Sequence, residues 1–129
     1  MKVIIKHINS DVPKENYEFF NDFIQYLQKL YPLKREVTIK FLGERVGDMT
    51  TGQRNTDNEI LILSKGRMNR DILRTLAHEW VHEYQRTILN RGKGPDIGGK
   101  NEDEANSESG AIIKKYEKSH PKNVKQMYD

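Results

Sequence analysis

His78-Glu79-Trp80-Val81-His82 sits inside a run, residues 69–91, whose apolar positions recur at helical spacing. Ile72, Leu73, Leu76, Ala77, Trp80, Val81, Tyr84 and Ile88 make one stripe, and the two histidines fall beside it rather than within it. Residues four apart on a helix stand one above the other on the same face, so His78 and His82 can aim two imidazole nitrogens at one ion. Glu79 lies about a quarter-turn round. It is near enough to take a proton from a water held there, and too far round to be the obvious third ligand. The bland alternative is a solvated helix face with two ordinary histidines. A position at the margin of the core-facing stripe, where a cleft can form, argues instead for a shared ion. With no cysteine in the chain, any such metal must be held by His, Asp or Glu, and disulfides and a thiol nucleophile are excluded.

Two histidines leave a catalytic metal short of a ligand, so a third residue is needed. Downstream, residues 92–99 hold four glycines and a proline, which predicts a loop. A phosphate-binding loop is disfavoured, because the glycines follow a helix and no Gly-Lys-Ser/Thr ending is present. The segment reads as a connector that returns a second helix to the first. That helix is predicted from Asn101 as N-cap, with Glu104 completing a capping box and Ala105, Ile112, Ile113 and Tyr116 as its apolar side, to about residue 119. Its opening, Glu102-Asp103-Glu104-Ala105-Asn106, supplies carboxylates where a third ligand is wanted. Glu102 is preferred, with Asn106 one turn on as a hydrogen-bonding partner; Glu104, engaged as the capping residue, is the alternative. The tail, residues 121–129, is expected to be flexible unless Val124, Met127 or Tyr128 packs.

Upstream, Val3, Ile4, Ile5 and Ile8 read as a first strand. Ser10 or Asp11 is a candidate cap for a helix entered through Pro13, with Tyr17, Phe20, Phe23, Ile24, Leu27, Leu30 and Tyr31 at helical spacing until Pro32 stops it. Those aromatics read as core. Residues 36–42 alternate as a strand with Val37, Ile39 and Phe41 on one face. A strand within 49–54 and another at 59–63 complete a small sheet. The order helix, strands, metal-bearing helix predicts an α+β domain, a single one at 129 residues (1–129).

Apolar residues make up 35% and charged residues 32% of the chain, too apolar for disorder throughout. No membrane span and no signal peptide is read, so a cytoplasmic site of action is expected. The formal charge of +3 favours anionic partners only mildly, and the scattered lysines and arginines read as solvated surface; nucleic-acid binding is the weakest of the functional readings. His7 is expected at the surface and His120 at a helix end.

The pair of motifs, H-E-x-x-H followed about twenty residues later by Glu-Asp-Glu-Ala-Asn, resembles the gluzincin clan of zinc metallopeptidases. It is similar within that clan to the ImmA/IrrE-type and CAAX-protease-like families, and more distantly to thermolysin. The likeness spans residues 60–116 and rests on these two motifs. It implies a minimal zincin-like fold, Zn2+ held by His78, His82 and Glu102, and Glu79 as the general base for hydrolysis of a protein or peptide, which would lie along an exposed edge strand. For the oxyanion stabiliser, Tyr84, Gln85, Arg86, Tyr116 and His120 are candidates. The rival reading is a zinc-binding module of a phage or mobile element without proteolytic activity, against which the retained Glu79 argues. Oligomeric state is not legible.

Overall fold

The β-branched runs become strands and the 3.6-periodic runs become helices. The computed structural model describes residues 2–55, 58–90 and 99–129. The strands are β1 (Val3–Ile8), β2 (Val37–Leu42), β3 (Gly52–Asn55) and β4 (Glu59–Leu63); the helices are α1 (Tyr17–Leu30), α2 (Asn69–Thr87), α3 (Lys100–Ser119) and the short α4 (Val124–Met127). The sheet runs β1-β2-β4-β3, parallel throughout except for β3, which pairs antiparallel to β4 and forms one edge. The chain is thus α+β with a mixed four-stranded sheet.

Register explains the layering. Val3 pairs with Val37, Ile5 with Ile39 and His7 with Phe41; Ile39 and Phe41 pair in turn with Ile60 and Ile62. Side chains alternate across a strand, so this row covers one face, and it shares a single core with the apolar stripes of α1, α2 and α3. Leu42, Met49, Leu61 and Leu63 form a smaller cluster. Met49, expected within a strand, therefore belongs to a packed loop, and β3 begins three residues later.

His7 is half-buried rather than fully at the surface. Its ring stacks on Tyr17 at 3.9 Å and near Phe41 at 5.1 Å, and burial lowers its pKa. Neither Ser10 nor Asp11 caps α1. A 3-10 turn at Lys14–Asn16 intervenes after Pro13, and Asp11 adopts a left-handed φ of 58°.

Helix α2 stops short of the predicted end. The amides of Ile88 and Leu89 both return to the Tyr84 carbonyl, and Asn90 turns left-handed with φ 53°. The connector predicted at 92–99 lies, up to residue 98, outside the described residues. Helix α3 starts at Lys100 with Gly99 as N-cap and no side-chain cap bond. The predicted capping box is not formed, because Asn101 is already inside the first turn and Glu104 accepts a hydrogen bond from Gln85 Nε2 at 3.0 Å. The two helices pack antiparallel: Gln85 meets the start of α3, and Arg70 Nε meets Glu117 at 3.0 Å near its end.

The tail is docked, not loose. Met127 is fully buried, the Asn69 amide donates to the Asp129 carbonyl at 2.9 Å, and Asn69 Nδ2 donates to the Gln126 carbonyl at 2.9 Å. The C-terminal residues thereby satisfy two donors in the first turn of α2, which has no side-chain cap of its own. Among the described residues no helix is long and apolar enough to cross a membrane.

Candidate metal centre

Three predicted residues converge. His78 Nε2 lies 3.1 Å from Glu102 Oε1, and His82 Nε2 lies 2.8 Å from Glu102 Oε2. The donor atoms of His78, His82 and Glu102 all fall within 4.8 Å of one another. The two rings stand nearly perpendicular with centroids 4.7 Å apart. A tetrahedral ion with bonds of about 2.0–2.1 Å needs donors roughly 3.4 Å apart, so this group can hold a metal ion with small adjustments. Glu104, the alternative ligand, is outside the group.

The sequence order dictates this convergence. Spacing by four puts the imidazoles on one face of α2, and the antiparallel return of α3 brings its first turn opposite His82. Burial lowers the pKa of His78, assisted by the neighbouring His82 and opposed by Glu102, which favours the neutral form a metal requires.

Gln85 orients His82. Its amide nitrogen donates to the Asn101 carbonyl at 3.1 Å and to Glu104, which leaves Oε1 to accept from His82 Nδ1 at 2.9 Å. With Nδ1 donating there, Nε2 is the ring nitrogen left to face Glu102 and to serve as a metal donor. Gln85 is almost fully buried and is not among the residues that line the cleft. It is therefore not an oxyanion donor, as the sequence reading allowed, but a brace between the two helices. Asn106 does not brace Glu102: it is exposed, and among the described residues no hydrogen bond joins them.

A cleft of about 350 Å³ opens beside the cluster. Its floor is one face of α2, with Arg74, Thr75, His78 and Glu79; Thr50, Thr51 and Gly52 form one wall, and Glu102, Asn106 and Ser109 of α3 form the other. Burial pushes the Glu79 carboxyl up to about 7, with His82 and Arg54 pulling it down. Gly52 allows β3 to come this close. A Cβ there would stand 2.6 Å from Thr75 Cγ2 and 3.1 Å from Glu79 Cγ.

Further along β3, Arg54 Nη1 meets the buried Glu83 at 3.1 Å, and Glu83 also accepts from Arg86 Nη2 at 2.7 Å. Arg86 reaches Asn58 as well, so the β3–β4 hairpin is tied to α2 just past the metal cluster. None of the five predicted oxyanion candidates lines the cleft. Tyr84 packs edge-on to Tyr31, Gln85 and Arg86 are engaged as described, Tyr116 donates to Asp22 at 2.6 Å, and His120 stacks on Tyr116. Arg74 and Thr75 were missed, although the i−4 relation of Arg74 to His78 is legible in the sequence.

The fold and cluster define an α+β protein with a His/His/Glu group able to bind a cation. No protein-family model, curated protein or solved structure matches the chain.

Proposed function

We propose that the chain is a zinc-dependent metallopeptidase of the gluzincin type, with His78, His82 and Glu102 as ligands. The observation that supports this most strongly is the meeting of those three donors, from motifs twenty positions apart, beside a cleft that His78, Glu79 and Glu102 line. A two-nitrogen, one-oxygen donor set with a braced imidazole fits zinc. Bound there, zinc supplies a Lewis acid that acidifies water and polarises a carbonyl. Glu79, which lines the same cleft, would serve as the group that takes up a proton from the attacking water and hands it to the leaving amine. Its raised pKa suits both transfers near neutrality. Gly52 holds the edge strand against Glu79, and a polypeptide substrate laid along β3 would pass its backbone over the ligand cluster.

The test combines zinc analysis with digestion of a mixed peptide library. The wild type should carry one equivalent of zinc and cleave; Glu79→Gln should keep the zinc and lose cleavage by at least about 100-fold. Glu102→Ala should loosen zinc far more than Glu104→Ala, and the reverse order would move the ligand role to Glu104. Zinc bound without hydrolysis of any library member would favour the non-proteolytic binding module.

A further inference from the structure

Arg74 is one helical turn before His78 on the same face of α2 and lines the metal cleft. It is exposed, and among the described residues it makes no hydrogen bond or ion pair. The described carboxylates lining the cleft are Glu79 and Glu102, and both are committed, one to the ligand set and the other to proton transfer. The positive charge at this end of the cleft thus has no carboxylate of its own there.

More positive charge lies just beyond. Thr51 is shared between the metal cleft and an adjoining hollow lined by Arg45, Lys65 and Arg67, with Glu44 as the one acid among its described lining residues. Arg67 Nη2 donates to Thr75 Oγ1 at 2.8 Å, so its guanidinium stands behind the cleft floor. Arg45 Nε donates to the Thr50 carbonyl at 2.8 Å, which sets its guanidinium against the loop before β3. Lys65 is partly offset by Asp11 at 3.9 Å. Burial lowers the pKa of Arg67, the nearby Asp71 charge opposes this, and the Arg45 charge adds to it.

We infer that the cleft selects acidic peptide segments, with Arg74 as the specificity-determining residue for an Asp or Glu side chain on the Thr50–Gly52 side of the scissile bond. This rests on the peptidase reading above. One helical turn is about 6 Å along α2, the span of roughly two residues of extended peptide, so the recognised carboxylate lies within about two positions of the bond cut. A guanidinium presents a fork of donors that matches a carboxylate and discriminates it from the isosteric amide. Arg45, Lys65 and Arg67 extend the preference to further acids on that side and steer the approach of an acidic chain.

Two measurements on the zinc-loaded protein test this together. In the first, a peptide library is digested and the cleavage sites are read by mass spectrometry for wild type, Arg74→Ala and Arg74→Lys. In the second, two fluorescein-labelled decapeptide pools, one carrying Asp and Glu and the other Asn and Gln at the same positions, are titrated by anisotropy against Glu79→Gln with and without Arg74→Ala. Acids should be enriched on one side of the cut, and the acidic pool should bind about 10–100-fold tighter than the amide pool. Arg74→Ala should erase most of that ratio and Arg74→Lys restore part of it, while cleavage of neutral sites persists. Cleavage without acid enrichment overturns the inference and leaves the peptidase reading standing. Acid-selective, Arg74-dependent binding without any cleavage supports the recognition site and removes the peptidase reading. Equal binding of the two pools without cleavage overturns both.

Discussion

Gln85 carries the coupling between α3 and the candidate ligand His82. Its side chain accepts from His82 Nδ1 and donates to both the Asn101 carbonyl and Glu104, so one amide fixes a ring and a helix start at once. Gln85→Leu keeps the volume and loses all three bonds. It should weaken zinc about 10–100-fold, measured by competition with a chromophoric chelator, while the helical circular dichroism stays. His7 gives a pH signature of a different kind. Burial between Tyr17 and Phe41 lowers its pKa in the folded chain, so the unfolded chain binds the proton more tightly. Its contribution to stability is therefore complete above the unfolded value of about 6.5 and is lost as pH falls through and below it. Urea midpoints at pH 7.5, 6.5 and 5.5 should fall more steeply for wild type than for His7→Phe. Parallel slopes would refute the assignment.

At the level of elements, the approach of β3 to α2 depends on Gly52. Thr75, whose Oγ1 is held by Arg67, is the first atom group a new Cβ would meet. Gly52→Ala should cost about 1–3 kcal/mol of stability by overpacking. It should also lower hydrolysis with less effect on zinc content, since the strand moves relative to Glu79 while His78, His82 and Glu102 do not depend on it. Strand β3 is also the element the sequence described least well. Gly-Gln-Arg-Asn has no apolar alternation, because this strand is fixed by its ladder to β4 and by the Arg54–Glu83 ion pair, which joins residues 29 positions apart. By contrast, the stripes of α1 and α2 and the alternation of β2 were legible, since each buries one face against the core and periodicity alone records that. The meeting of His78, His82 and Glu102 was legible for a related reason: spacing by four on one helix, and carboxylates at the start of the next. Which glutamate turns inward was settled by where α3 begins, and the capping box that would have occupied Glu104 is not formed.

For the whole molecule, the tail decides how firmly α2 is held. Met127 is fully buried in the same core as Trp80, and the backbone at Gln126 and Asp129 meets the first turn of α2. Met127→Ala should cost about 2–5 kcal/mol and lower the midpoint of thermal unfolding by on the order of 10 °C. An unchanged midpoint would show that the tail is dispensable. The position of Glu102 across from His82, 20 positions away in sequence, has a further consequence. A cation gripped by both would act as a staple closing a loop of that length. By chain-entropy reasoning, such a closure is worth roughly 3 kcal/mol against the unfolded ensemble. Metal affinity and folding then become one linked equilibrium, and chelation would loosen the same helix pair that the aromatic core holds together.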